Sequence, residues 1–129
     1  MSFASGFEHR DAGSVLVAYA NFGVGAGAAL RLMDSAVVVL ARASWALAAL
    51  GSDAPCDVLV LCPYLEEEER VALLAAATSR IQRPVALELA DVADGSYTVR
   101  PVRDAGVSGD HAGGPLVRSV LNALAAPTS

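Results

Sequence analysis

Short apolar runs alternate along most of this chain with stretches whose apolar residues recur at helical spacing. Continuous apolar runs of strand length are typical of strands in a parallel sheet, because both faces of such strands are covered. The pattern predicts five strands, at 14–20, 36–41, 58–61, 84–89 and 96–102. It predicts four helices, at 28–33, 43–50, 65–79 and 116–125.

The predicted order β-α-β-α-β-α-β-β-α indicates the fold class. Strands that alternate with helices over short connections form a mostly parallel sheet with helices on both faces. We therefore predict a compact doubly wound α/β domain of the Rossmann or flavodoxin-like type, with about five strands, over residues 14–126. A polar arm at 1–13 precedes it, and Pro101 indicates a strand end or a sheet edge. A glycine-rich loop is expected at 105–115.

Composition adds expectations about partners. Hydrophobic residues make up 54% and charged residues 18% of the 129 residues, which favours a single domain that covers part of its apolar surface with a protein partner or a further copy of itself. The net charge is −5 and the arginines are scattered singly. Binding to nucleic acid or to an anionic membrane surface needs clustered cations, so we expect neither.

The cysteines and the first thirty residues bear on the compartment. Cys56 and Cys62 flank a predicted strand that separates their Cα atoms by about 20 Å, which is too far for a disulfide. The polar start of the chain predicts no secretory signal, and we expect a cytoplasmic protein. Residues 12–30 carry no charge and have the length of a membrane span, but a strand followed by a glycine turn is the preferred interpretation.

Three glycines follow the first predicted strand. In a strand–turn–helix unit such glycines let the backbone approach a pyrophosphate, which then meets free amides at the helix start. Gly23, Gly25 and Gly27 are therefore candidate cofactor-binding residues, and Arg42, after the second strand, is placed to meet a 2′-phosphate. The alternative is that the glycines only allow an alanine-rich helix to pack closely on the sheet. The residues leave both interpretations open.

Three segments resemble the short-chain dehydrogenases/reductases. Residues 17–25 (VAYANFGVG) resemble their TGxxxGxG turn, 36–42 (AVVVLAR) their second strand with its arginine, and 57–64 (DVLVLCPY) the strand before their NNAG segment. The resemblance covers residues 14–64 and implies a degenerate, truncated Rossmann domain, for which we expect no cofactor, with NADP as the alternative. Tyr19 replaces the first glycine of the turn. All nine Lys+Arg residues are arginines, so the family's Tyr-x-x-x-Lys pair has no counterpart.

A weaker resemblance is to response-regulator receiver domains. It rests on 56–65 (CDVLVLCPYL), on 84–89 and on 97–101 (YTVRP). Receivers use an acidic pair, a phosphoacceptor aspartate and a lysine. Ala18 with Tyr19, then Cys62, then Arg100 stand at those positions, so the resemblance implies a regulator that works without phosphorylation.

Other polar residues predict no catalytic or metal site. His9 and His111 lie in predicted polar segments, where solvated side chains are expected, and nothing near them repeats as a metal-ligand set. Cys62 is expected to be a buried structural residue, not a nucleophile. The run Glu66–Glu69 suits the positive end of a helix dipole, with an acidic recognition face as the alternative.

The expected function is that of a non-catalytic Rossmann-like subunit, which associates with a catalytic partner such as a reductase-like or other biosynthetic enzyme. An atypical receiver-like regulatory domain and a residual NADP(H)-binding protein are the alternatives. No cofactor is required by the first two hypotheses.

Overall fold

A computed structural model describes residues 13–93, 96–102 and 114–125 of the chain. The predicted polar arm, apart from Gly13, lies outside these residues, as does most of the predicted loop at 105–115, including His111. The elements in chain order are β1 Ser14–Tyr19, α1 Phe22–Leu32, β2 Val37–Arg42, α2 Ala43–Leu50, β3 Val58–Leu61, α3 Glu67–Thr78, β4 Val85–Ala93, β5 Ser96–Pro101, β6 Gly114–Pro115 and α4 Leu116–Ala125.

The strands form one sheet in the order β2-β1-β3-β4-β5-β6. The first four strands of that order are parallel, β5 runs antiparallel to β4, and the two-residue β6 pairs antiparallel with β5. The predicted α/β class with a mostly parallel sheet is confirmed, and the order β2-β1-β3-β4 is that of flavodoxin-like folds. Pro101 is the last residue of β5, as its missing N–H led us to expect.

Alternate residues of the central strands pack into two separate cores. On one face Val15, Val17, Val58 and Val60 lie under α1 and α4, and on the other face Leu16 and Leu59 lie under α2 and α3. This arrangement explains why β1 and β3 are apolar at successive positions, since neither face of these strands meets water. It also makes the domain doubly wound.

The second strand differs from the prediction. Its apolar run predicts burial on both faces, yet β2 lies at the end of the strand order, and Val37 and Val39 are 52% and 49% exposed. A run of valines indicates that a segment favours the strand conformation. It does not indicate whether another strand or helix covers that strand, because the covering elements are distant in sequence.

The first helix also differs from the prediction, because it begins at Phe22 and not at Ala28. The Asn21 side chain caps it, and its Oδ1 accepts a hydrogen bond from the Val24 N–H at 3.2 Å. Gly23, Gly25 and Gly27 therefore lie inside α1 and not in a turn before it. The uncharged stretch 12–30 contributes β1 and most of α1, and no helix of the described residues is long and apolar enough to cross a membrane.

Polar contacts fix α3 at both ends. Glu66 and Glu69 form a capping box at its start, in which the Glu66 N–H donates to Glu69 Oε1 at 3.1 Å. Just beyond its other end, the Arg80 guanidinium donates to the Leu50 carbonyl at 2.9 Å, to the Ser52 carbonyl at 3.2 Å and to the Ala54 carbonyl. Arg80 thereby ties α3 to the loop that leads from α2 into β3.

Candidate functional site: a cleft at the carboxyl edge

The chain changes direction between β1 and β3, which are neighbours in the sheet. From β1 it passes to α1 on one face, and from β3 it passes to α3 on the opposite face. In open α/β sheets the loops that diverge at such a point leave a crevice outside the carboxyl ends of the strands, and ligands bind there. The strand order therefore places the candidate site before any side chain is considered.

A cleft of about 530 Å³ opens at this position. Tyr19 and Ala20 line it from the end of β1, and Tyr64 lines it from the loop after β3. The remaining lining residues are Arg42, Ala43, Ser44, Glu66 and Glu69, from the junction of β2 with α2 and from the start of α3. Every segment that leaves the carboxyl edge of β1, β2 or β3 thus contributes to one concave surface.

Tyr64 is held in a backbone conformation that bulky residues rarely adopt. Its φ is 76°, in the left-handed region, and it is the only non-glycine residue with positive φ among those the structure describes. The conformation costs roughly 1–2 kcal/mol relative to the ordinary helical or extended regions. Its ring gains little packing in return, because it is 74% exposed. Strain of this kind at a cleft is typical of residues that serve a functional purpose.

Two aromatic residues, Tyr19 and Tyr64, line the cleft, and Phe22 and Trp45 are neighbours of lining residues. We call Tyr19, Phe22, Trp45 and Tyr64 the aromatic rim. The rings of Tyr19 and Phe22 meet edge to face, with their centroids 5.6 Å apart. Trp45 directly follows Ser44 in the first turn of α2, and it is 72% exposed. Phe22 is 62% exposed, so three of the four rings are offered largely to solvent.

The charges of the cleft have different roles. Both glutamates serve the capping box, so their carboxylates are committed to the start of α3. Arg42 is exposed and makes no hydrogen bond or ion pair with the described residues. It stands at the N-cap of α2 without a side-chain cap bond. Its guanidinium is the cleft group best suited to a carboxylate or a phosphate, with which it forms paired hydrogen bonds.

The three candidate glycines have separate surroundings. Gly23 is exposed in the first turn of α1. A Cβ on Gly25 would lie 2.7 Å from Tyr19 Cβ and 3.0 Å from Leu40 Cδ1, so this glycine lets α1 approach the sheet. A Cβ on Gly27 would collide with the Tyr97 ring, with 2.9 Å to its Cζ.

The surroundings of the glycines bear on whether these residues can contact a cofactor. The Tyr19 side chain packs against α1 at Gly25, so this glycine serves the close packing of the helix on the sheet. Arg42 is the one candidate of the four that lines the cleft. The proposed roles of Gly23, Gly25, Gly27 and Arg42 in binding NADP therefore stay a prediction.

Neither cysteine is an activated nucleophile. Desolvation by burial raises the pKa of the Cys62 thiol to about 12, and the same cause raises that of Cys56 to about 11, with the nearby Arg80 charge acting in the opposite direction. Both side chains are free thiols. Within the described ranges, no three His, Cys, Asp or Glu side chains come together as a metal site.

The Arg100 that stands at the receiver lysine position belongs to an ion-pair group on the sheet. Its Nε lies 3.3 Å from Glu88 Oε1, and Arg70 Nε lies 3.0 Å from Glu88 Oε2. Arg100 is thus engaged with a carboxylate on the neighbouring strand.

No protein-family profile and no curated protein matches this chain.

Sequence reasoning missed most of the cleft. It singled out Arg42, but it considered Tyr19 only as a replacement in the two resembled motifs, and Tyr64 only as the end of the segment 57–64. A usable signal existed, because Tyr19 lies near the carboxyl end of the predicted strand 14–20 and Tyr64 follows the carboxyl end of the predicted strand 58–61. The left-handed conformation of Tyr64 had no signal, since glycine or asparagine is the residue expected there.

Proposed function

We propose that this chain is a non-catalytic α/β subunit that binds a catalytic protein partner, a reductase-like or other biosynthetic enzyme, through the aromatic rim and Arg42. The observation that carries the proposal is the exposure of three aromatic rings, of which Tyr64 lines the cleft while Phe22 and Trp45 belong to residues next to its lining. Tyrosine, tryptophan and arginine are enriched among the residues that dominate the binding energy of protein interfaces. The two aromatic residues bury a large area at a low cost in side-chain entropy, and arginine forms paired hydrogen bonds with carboxylates.

The strained backbone of Tyr64 supports the same proposal. A solvent-exposed ring that costs stability and packs against little has no structural purpose in the isolated chain. If a partner buries the Tyr64 ring, the strained backbone has a function, because it holds the ring in its bound orientation before the partner arrives. The partner surface that fits this site carries apolar side chains around a carboxylate that faces Arg42.

The two free thiols agree with a reducing compartment, so we place the subunit in the cytoplasm as part of this proposal. A residual NADP(H)-binding function is the second candidate, and the position of Arg42 at the switch-point cleft favours it. Tyr19 weighs against it, because it stands where the resembled turn has its first glycine and because its side chain packs against α1 at Gly25.

The test of the proposal is affinity capture from the native host with three forms of the chain. Wild type is compared with Tyr64→Gly and with Ile81→Ala, a control that removes an exposed large apolar side chain that does not line the cleft. We expect one enzyme in stoichiometric amount with the wild type and the control, and its loss with Tyr64→Gly. Adding the chain to that purified enzyme should raise its activity or stability.

Tyr64→Gly separates binding from folding. Glycine adopts positive φ without strain, so the variant should be as stable as wild type, or about 1 kcal/mol more stable, while it loses the partner. Retention of the partner by this variant, or reductase turnover by the chain alone, would contradict the proposal. A rise in melting temperature with millimolar NADPH that Arg42→Ala abolishes would favour the second candidate instead.

A further inference from the structure

Among the residues that the structure describes, no strand pairs with the outer edge of β2, and residues 37–41 of β2 carry none of the usual devices that stop another strand from pairing there. Natural edge strands are commonly protected by charged side chains, by proline or by a bulge. The sequence of β2 is VVVLAR, and its register with β1 is regular over six residue pairs. Its only charge is Arg42, at the carboxyl end.

The backbone of β2 directs two residues outward. The Val37 N–H donates to the Gly13 carbonyl at 3.0 Å, which fixes the direction of its peptide groups towards β1. Because successive residues of a strand alternate, the N–H and C=O groups of Val38 and Leu40 face the free edge. Two outward residues at this spacing are complementary to the same two residues of an antiparallel strand.

We propose that a second copy of this chain pairs edge to edge with β2 in antiparallel orientation, so that one sheet continues through both copies. The two-fold axis is normal to the sheet and passes beside Val39. Val38 of each copy then exchanges hydrogen bonds with Leu40 of the other, and the two Val39 residues face each other as a non-hydrogen-bonded pair.

The side chains of β2 fit the same register. Val37 and Val39, 52% and 49% exposed, share the face of the sheet that α2 and α3 cover elsewhere. In the dimer Val37 lies opposite Ala41 of the second copy and Val39 opposite Val39, so apolar surface on each copy covers the other.

The charges at the strand ends are also complementary. Asp34 precedes the amino end of β2 and Arg42 closes its carboxyl end, and both are exposed. Antiparallel pairing brings the Asp34 end of one copy towards the Arg42 end of the other. A second copy of β2 thus complements the first in its backbone register, in its apolar face and in the charges at its ends, and a second copy is therefore the occupant that fits this edge. Antiparallel pairing makes the carboxyl edges of the two sheets, where the clefts open, point in opposite directions.

The test measures molar mass by light scattering or sedimentation. Wild type should have about twice the 13.2 kDa of one chain. Val39→Lys should have the mass of one chain, because it places two like charges opposite each other. Val71→Lys is the matched control, since Val71 is 52% exposed on α3, and its mass should equal that of wild type. Circular dichroism checks that both variants are folded.

A second arm tests the register. Val39→Lys and Val39→Glu should each be monomeric, and an equimolar mixture should recover the doubled mass, since lysine then faces glutamate. A single-chain mass for wild type, an unchanged dimer in Val39→Lys, or a mixture that stays monomeric would overturn the proposal. A full chain that is monomeric and a variant without residues 1–12 that is dimeric would overturn the proposal as well, because residues 1–12 would then occupy the outer edge of β2. None of these variants alters the aromatic rim, so this result is independent of the partner test.

Discussion

Substitution of Gly25 by alanine tests the close approach between α1 and the sheet. The added Cβ would lie 2.7 Å from Tyr19 Cβ and 3.0 Å from both Tyr19 Cγ and Leu40 Cδ1. Tyr19 Cβ is attached directly to the β1 backbone, so no side-chain rotation relieves the contact. Overpacking of a tight core site costs about 1–3 kcal/mol, and a contact with a backbone-fixed atom belongs in the upper half of that range.

The gain in helix propensity partly offsets this cost. Alanine is favoured over glycine by about 1 kcal/mol inside a helix. The free energy of unfolding should therefore fall by about 1–2 kcal/mol, which for a domain of this size lowers the melting temperature by roughly 4–8 °C. The control is Gly23→Ala in the same helix, where the nearest neighbour of the new Cβ is Asn21 Oδ1 at 3.3 Å. This variant should be as stable as wild type or slightly more stable.

Urea unfolding followed by circular dichroism measures both variants. Equal stability of Gly25→Ala and Gly23→Ala would refute the packing explanation of Gly25. A double-mutant cycle with Tyr19→Gly sharpens the assay, because removal of the Tyr19 Cβ should make Gly25→Ala less harmful. Tyr19→Ala keeps that Cβ and should leave most of the penalty in place.

Two further predictions concern Arg80 and the thiols. Arg80→Ala should lower the free energy of unfolding by about 2 kcal/mol, since three carbonyls around the loop after α2 lose a charged donor. The control Arg83→Ala, at an exposed position, should change the stability little. Equal effects of the two variants in urea unfolding would show that the hydrogen bonds of Arg80 contribute nothing. Because burial raises the pKa of Cys56 to about 11 and of Cys62 to about 12, the unfolded chain loses these protons first, so stability should be full below about pH 9 and fall as the pH rises towards 11. The decline in urea midpoint with rising pH should shrink in a Cys56→Ser/Cys62→Ala variant. In the native protein the buried Cys62 thiol should resist a thiol reagent at neutral pH until the protein is unfolded, and rapid labelling of native Cys62 would show that this thiol is not buried.

Local sequence signals determined much of the fold. The bounds of α2, β3 and α4 follow from apolar spacing, from Pro63 after β3 and from short connections, and the structure has them at the predicted residues. The start of α1 was missed because three glycines lower its helix propensity. The helix forms nevertheless, since Asn21 caps it and the glycines let it contact Tyr19 and Tyr97, and those contacts join residues that sequence alone does not bring together.

The candidate site depended even more on distant residues. Glu66 and Glu69 were recognised as the acidic start of a helix, and their capping box is a local feature of that kind. The cleft needs β1, β2 and β3 side by side, and this adjacency follows from strand order. The exposure of Val37 and Val39 is likewise a property of position in the sheet, because the same valine run in a central strand would be buried.

The antiparallel return of β5 beside β4 has a consequence for how the chain folds. The two strands are consecutive in sequence and Ala93 pairs with Ser96, so this hairpin closes almost no loop and can form within about 1–10 μs. Each parallel pair must instead bring together segments more than twenty residues apart, across a helix, at a higher entropic cost. We therefore expect the parallel half of the sheet to set the folding rate, with the hairpin serving as an early template along which β3 docks.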